Sequence, residues 1–398
     1  MTRLDPGLWM ERPGFRKLLA ALSGDDGATR LVGGAVRDWL LGAQVADIDL
    51  ATRLAPPQVI AALEEAGIRA VPTGLAHGTV TAVVGGTPYE VTTLRRDVQS
   101  FGRHAEVAFT DDWQEDAARR DFTMNALYAD PVSGEVLDWF GGLDDLSARR
   151  VRFIGEPLAR IGEDHLRILR FFRFSARFAP ELDAAGLAAC AARANDLMAL
   201  SRERIRDELL KLLALPSPAS TVEAMVGNAI LRPVLPEIGM AGVAQLRLLI
   251  DAETAARVSA DGLRRLSALL PADAALAADV GARLKLSNAD RNRLSLDADR
   301  SPAPDDPRAL AYAVGPAAAL DLLLLTGDAR AGQWAGALSS WARPRLPISG
   351  KDLIAMGLPP GPQVSRRLGE VERRWVEAGF PADRNRVMAI ARELLGMK

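Results

Sequence analysis

The residues best suited to chemistry lie between Leu31 and Thr52, in the run LVGGAVRDWLLGAQVADIDLAT. Leu31 and Val32 end an apolar run that stops at Gly33-Gly34, and Ala35 to Leu41 then reads as a helix, so the glycines sit where a strand turns into a helix. Such a turn exposes backbone N–H groups, glycine lets the main chain approach an anion, and the helix N-terminus favours negative charge. Arg37 in the first turn adds a forked, charged donor. A triphosphate fits that set, as does a plain tight turn with Arg37 held by Asp38. Asp47-Ile48-Asp49 narrows the choice. Residues two apart on a strand share a face. Two hard oxygen donors side by side suit Mg²⁺, and a pair of ions about 4 Å apart would activate a hydroxyl nucleophile while neutralising leaving phosphates.

Several elements must position these groups. Pro56 to Ala66 reads as an amphipathic helix opened by Pro-Pro and closed by Gly67. Thr79 to Val84 and Tyr89 to Thr93 read as strands joined at Gly85-Gly86, and Glu90 in the second strand is a candidate third carboxylate, as general base or metal ligand. A surface-strand Glu is the alternative. Residues 97–113, DVQSFGRHAEVAFTDDW, have no clear period and read as a loop. Residues 115–129, EDAARRDFTMNALYA, read as a helix with its polar residues clustered. There Arg120 can hold a phosphate, Asp121 can accept from a ribose 2′-hydroxyl, and Asn125 can fix either by hydrogen bonding, whereas an Arg120–Asp121 ion pair would be purely structural.

A second organising stretch is GEDHLRILRFFRFSARF, read as one helix from Gly162 through Phe178. Ile168, Leu169, Phe172 and Ala176 form one face, while Asp164, Arg167, Arg170, Arg173 and Arg177 fall on the other. Four arginines on one face repel, and an anionic ligand would relieve the repulsion. Asp164 and Arg167, a turn apart, pair an acceptor with a forked donor. That combination matches the Watson–Crick edge of C or A, whose exocyclic amine G and U lack at the equivalent place.

Composition limits the rest. The 398 residues, 48% hydrophobic, are enough for two to four domains. One cysteine, Cys190, excludes a disulfide framework and a Cys-based zinc site, and only three histidines are present, His77, His104 and His165. The opening MTRLDPGLWMERPG has acidic residues and proline where a signal peptide needs an apolar core, so a cytoplasmic location is expected. Residues 309–325 are apolar but broken by Gly315-Pro316 and Asp321, the pattern of two buried helix segments rather than a membrane span. Net charge is −2, unevenly spread: residues 341–398 carry eleven Lys or Arg against six Asp or Glu, a net +5 that leaves −7 for the first 340. A basic end can track a phosphate backbone or be an ordinary solvated face. SGKD at 349–352 is no P-loop, because Arg345 replaces the earlier glycine and Asp352 the Ser or Thr.

Glycine turn, helix and Asp-x-Asp together resemble the nucleotidyltransferase superfamily that contains DNA polymerase β. GGAVRDWLLG, DIDLAT, RRDFTMNAL and EDHLR resemble its class II branch, the tRNA CCA-adding enzymes and bacterial poly(A) polymerases. The resemblance implies an α+β fold, with a small mixed-sheet nucleotidyltransferase head followed by all-α neck, body and tail. The expected bounds are 1–140 for the head, 141–215 for the neck, 216–300 for the body and 301–398 for the tail, with a linker at residues 301–308. It implies catalysis by Asp47, Asp49 and Glu90, with Asp47 and Asp49 as Mg²⁺ ligands. Nucleotide binding falls to Gly33, Gly34, Arg37, Arg120, Asp121 and Asn125, with Asp164 and Arg167 selecting the base and Arg170 and Arg173 facing triphosphate or base. Partners are CTP, ATP and a tRNA 3′ end, with the 97–113 loop aiding the change from C to A addition and the helix from Gln363 gripping tRNA. Poly(A) addition, CC-only or A-only activity, and a non-catalytic tRNA-binding protein are the alternatives. The His- and Asp-rich phosphohydrolase domain of some relatives is expected to be absent.

Overall fold

The computed structural model describes residues 2–22, 26–45, 47–101, 104–300 and 306–396. Two compact units divide at Pro236 and Glu237.

The first unit is built on a seven-stranded sheet in the order β3-β4-β5-β2-β1-β8-β9, with β1 (Thr29–Val32), β2 (Asp49–Thr52), β3 (Arg69–Gly74), β4 (Thr79–Val84), β5 (Thr87–Thr93), β8 (Tyr128–Ala129) and β9 (Val136–Leu137). All neighbours are antiparallel except β2 and β5, which run parallel, so the sheet is mixed. β2 lies between β1 and β5 with both edges paired, and Leu50, Ala51 and Thr52 are all buried, as a central strand requires. Its first residue, Asp49, is left at the sheet's end. The Gly34–Leu40 helix follows β1, and the Pro56–Glu65 helix crosses from β2 toward the far strands. Val32, Ala51, Leu94, Trp113, Ala117, Ala126, Tyr128 and Ile154 form one core cluster against the sheet. C-terminal to β9 the named elements of the unit are helices, including Pro157–Glu163, Arg167–Phe178 and Arg202–Leu213.

Three local expectations give way. Residues 95–101 and 104–109 form a separate two-stranded hairpin, β6 (Arg95–Phe101) and β7 (His104–Phe109), paired from Arg95↔Phe109 to Phe101↔His104 with a shift of register between Asp97 and Gln99. Gly102 and Arg103, within the expected loop, lie outside the described residues. Backbone pairing makes this ribbon, and a ribbon standing apart from the main sheet leaves no alternating apolar signature. Residues 115–129 are not one helix: Trp113–Ala118 is helical, Phe122 is extended, Thr123–Asn125 is a single 3₁₀ turn and Tyr128–Ala129 joins the sheet. The Asp121 carboxylate accepts the Phe122 N–H at 2.9 Å, a local bond that competes with helix. The Gly162–Phe178 helix is likewise broken. Asp164 is extended (φ −146, ψ 107), and its carboxylate accepts the Leu166 N–H at 3.1 Å as the chain re-enters a helix at Arg167.

The second unit is all helical among the described residues, from Met240–Ala256 to Arg384–Leu394. Pro307–Val314 and Pro316–Leu325 are separate helices meeting at Gly315, as the sequence anticipates. Of the expected linker, residues 301–305 lie outside the described residues. Trp375 and Val371, on the Pro362–Glu377 helix, anchor a small core with Leu353, Val387 and Ala391. Among the described residues no helix is long and apolar enough to cross a membrane.

Candidate active site

A cleft of about 440 Å³ opens in the first unit, within the size range of small-molecule sites. Asp49, Gly33, Gly34, Arg37 and Arg120 line one part, Asp121, Asn125 and Arg170 another, and Asp164, Arg167 and Phe174 the rest.

The carboxylates come from sheet register. Parallel pairing of β2 with β5 sets Asp49 directly beside Glu90, and Asp47 precedes the strand two residues earlier. Partial withdrawal from water raises the Asp49 pKa, and Glu90 and Asp47 push the same way against Arg120. A cation relieves that strain. Among the described residues no three His, Cys, Asp or Glu side chains gather closely enough to hold a metal ion by themselves. An open carboxylate edge fits a hard divalent ion that completes its shell with phosphate oxygens and water.

The glycine turn behaves as its letters demand. Gly33 has φ +68 and caps the Gly34–Leu40 helix, and a side chain there would place Cβ 3.3 Å from Nη1 of Arg120. Arg37 is almost fully buried: Nε donates to Asp38 at 2.8 Å, Nη1 donates to Asn125 Oδ1 at 2.5 Å, and the guanidinium lies 4.5 Å from the Phe178 ring centroid. Asp38 therefore grips Arg37, which also lines the cleft.

Asn125 also donates to Asp121 Oδ1 at 3.0 Å, and Asp121 Oδ2 accepts Nε of Arg170 at 2.7 Å and Nη2 at 2.6 Å. Arg37, Asn125, Asp121 and Arg170 thus form one continuous chain of hydrogen bonds along the cleft. Burial alone would raise the Asp121 pKa; Arg170, Asn125 and the Phe122 N–H outweigh it and lower the pKa, so the carboxylate stays charged. No Arg120–Asp121 ion pair forms. Arg120 turns instead to Tyr128 and Asp116.

The helix break presents Asp164 and Arg167. Arg204 holds Asp164, and Arg167 donates to Glu163 at 2.6 Å, to the Arg160 carbonyl at 2.8 Å and to the Arg119 carbonyl at 2.8 Å. This last bond, with Arg160 Nη2 on the Arg120 carbonyl at 2.5 Å, ties the helical segment to the backbone of the two arginines. Arg173 points elsewhere, with Nε on Glu208 at 2.6 Å and its guanidinium 4.5 Å from the Phe174 ring centroid. Asp47 and Glu90 are exposed beside Asp49.

Sequence reasoning missed Phe174 as a cleft residue and Asp116, Tyr128 and Arg204 as supports. Phe174 carried a signal, the Phe171/Phe174 spacing on the arginine-rich helix, and Asp116 stands four residues before Arg120. Tyr128 and Arg204 depend on tertiary contact.

Known proteins resemble this chain along most of its length. The family described as Poly A polymerase head domain matches residues 29–152, and that described as a probable RNA and SrmB-binding site of polymerase A matches residues 181–240. The chain is 33% identical to CCA tRNA nucleotidyltransferase 1, mitochondrial, of Danio rerio, over 90% of this chain and 86% of that protein. It is 32% identical to the Homo sapiens protein of the same name, over 94% and 89%. Among solved structures, the Bacillus stearothermophilus CCA-adding enzyme in complex with CTP superposes with a TM-score of 0.77 at 28% identity, covering 96% of this chain and 98% of that one. The chain belongs to the class II CCA-adding enzyme and poly(A) polymerase family of nucleotidyltransferases, whose members generally use divalent metal ions.

Proposed function

We propose that this chain adds CCA to tRNA 3′ ends from CTP and then ATP, without a nucleic-acid template. The observation that carries the reading is one cleft whose wall brings together the Asp49 carboxylate, the Gly33-Gly34 turn with Arg120, and the Asp164–Arg167 pair. Relatives named for CCA addition, similar along nearly the whole chain, favour it over poly(A) synthesis.

Asp47 and Asp49 would hold Mg²⁺, with Glu90 as the third carboxylate of the cluster. A divalent ion held there would supply a lowered pKa at the primer's terminal hydroxyl and charge neutralisation at the departing pyrophosphate. The protein supplies the rest. Glu90, the register partner of Asp49, is the candidate acceptor of the hydroxyl proton. The Gly33 N–H donates to the Leu127 carbonyl at 3.0 Å, so the Gly34 N–H, with Arg37 and Arg120, orients the triphosphate while Gly33 supplies the turn. Asp121 already accepts four N–H groups. It takes the ribose 2′-hydroxyl in place of one Arg170 donor, which frees that donor for phosphate. Asp164 accepts from the exocyclic amine of C or A, and Arg167 donates to the ring and carbonyl acceptors. Arg173 acts through Glu208 and Phe174, outside the nucleotide's direct contacts. In this reading residues 1–140 carry the chemistry and 141–215 the base selection, 216–300 form the body, and 301–398 grip the tRNA in the cytoplasm.

Incorporation by the purified protein with Mg²⁺, on a tRNA transcript lacking its 3′ end, tests this. CTP alone should give two additions, and CTP with ATP one more. A long ladder with ATP alone would replace the reading with poly(A) synthesis, and arrest after CC, or A addition only to a CC end, with a divided activity.

A further inference from the structure

Asp116 is a buried carboxylate with every acceptor position in use. It lies on the Trp113–Ala118 helix and is 2% exposed. Oδ1 accepts the backbone N–H of Arg95 at 3.2 Å and Nε of Arg119 at 2.9 Å. Oδ2 accepts the Tyr128 hydroxyl at 2.5 Å and Nη2 of Arg120 at 3.2 Å. The Tyr128 oxygen accepts Nε of Arg120 at 3.0 Å, which closes a ring of three side chains, and the guanidinium stands 5.2 Å from the tyrosine ring centroid. Tyr128 cannot drift. Its side chain is wholly buried, set edge-on to Trp113 at 5.6 Å and to Trp139 at 5.5 Å.

This ring dictates how Arg120 faces the cleft. With Nε and Nη2 occupied behind it, the guanidinium presents Nη1 toward Gly33, on the cleft wall. A planar fork fixed at two nitrogens cannot rotate unless a partner lets go, so it loses little freedom on binding an anion. The same carboxylate holds Arg95, the first residue of the β6–β7 hairpin, so the hairpin's base and the anion-facing guanidinium hang from one group. Burial opposes ionisation of Asp116, yet Arg120, Arg119 and Tyr128 hold its pKa at about 2, so the anion persists at all ordinary pH values.

We propose that Asp116, acting with Tyr128, is a positioning residue that sets Arg120 for the triphosphate of the incoming nucleotide and links that pose to the base of the β6–β7 hairpin. The proposal rests on the nucleotidyl-transfer reading above and adds two residues to it, neither of which touches substrate.

The test is a cycle of variants of the full chain: Asp116→Asn, Tyr128→Phe, Arg120→Ala and their combinations, with CTP affinity measured by calorimetry in the presence of Mg²⁺. Loss of a charge-assisted bond predicts that Asp116→Asn weakens CTP about tenfold and Tyr128→Phe about threefold. Both effects vanish in the Arg120→Ala background, because they act through that guanidinium. KM for tRNA lacking its 3′ end stays within about twofold, and hydrogen exchange at the Arg95 amide quickens in Asp116→Asn. Undiminished CTP affinity in the single variants overturns the proposal, as does an equal loss with Arg120 already removed, the mark of a merely structural ion pair. Unchanged Arg95 exchange removes the hairpin link. Should Asp116→Asn fail to fold, Tyr128→Phe deletes one oxygen only and runs the same cycle. Wild-type protein that binds CTP without transferring it would sink the functional reading while leaving the affinity cycle decisive.

Discussion

Nη2 of Arg204 lies 3.1 Å from Oδ1 and 2.9 Å from Oδ2 of Asp164, so the carboxylate proposed to read the base is held from behind by an arginine forty residues further along the chain. The grip fixes which lone pairs of Asp164 face the cleft. Arg204→Met keeps the stem and removes the fork. Discrimination for CTP over UTP in competitive incorporation should then fall about tenfold, the low end of what one base-edge contact provides. Both partners are about a third exposed, so melting temperature should barely move. Unaltered discrimination would mean that Asp164 keeps its orientation without help.

Asp49 stands in a different relation to its neighbours, because Glu90 and Asp47 crowd it with like charge. Asp49→Asn should leave the melting temperature equal to or slightly above wild type and lower CTP incorporation by at least about 10²-fold, the usual cost of removing one preorganised electrostatic contact. Steady-state incorporation and a thermal melt on the same preparation check both halves. Retained activity would remove Asp49 from the catalytic centre.

Gly33 allows a subtler test. Gly33→Ala asks an L side chain to adopt φ +68 and sets Cβ against Nη1 of Arg120 at 3.3 Å. The strain costs about 1 kcal/mol or more of stability. Displacement of the guanidinium should in addition raise KM for CTP and ATP about tenfold with little change in KM for tRNA. A drop in stability alone, with nucleotide KM untouched, would show that the turn is structural and does not meet the phosphates.

What the sequence disclosed follows the range of the interactions involved. The Gly33-Gly34 turn was legible because a glycine turn carries its geometry locally, whereas of the Asp-x-Asp pair expected on one strand only Asp49 lies in β2 and Asp47 stands just before it. Glu90 could be placed on a strand, but its position beside Asp49 comes from the parallel pairing of β2 with β5, which no local pattern states. The breaks at Asp121 and Asp164 were missed for one reason: each aspartate bonds a nearby backbone N–H, and both stretches keep a helical apolar period on either side. The β6–β7 hairpin was illegible because a two-stranded ribbon apart from the main sheet is fixed by backbone pairing and requires no apolar–polar alternation of residue types. Arg204 and Tyr128 belong to helices and strands whose letters are ordinary, and their meaning arises from where the fold sets them.

In the second unit Asp321 accepts Nε of Arg264 at 2.6 Å and Nε of Arg293 at 2.6 Å, and Arg264 also meets Glu253 at 2.6 Å. Asp297 receives neither arginine: it is wholly buried, and neither carboxylate oxygen finds a hydrogen-bond partner among the described residues. Burial and the Asp321 charge push its pKa up to about 8, against the opposing pull of Arg293 and Arg264. An unfolded aspartate titrates near 3.9. Between about pH 4 and pH 8 the folded chain therefore keeps a proton that the unfolded chain has released. Stability from this group is complete below about pH 4 and is lost as pH rises through about 8. Asp297→Asn fixes the neutral form. Its melting temperature relative to wild type should climb from pH 6 to about pH 8 and level off above that, as followed by thermal melts of the full chain to about pH 9. A difference that is flat across that range, or that shrinks as pH rises, would mean that Asp297 is ionised in the folded protein and that the arginines are shared between both aspartates.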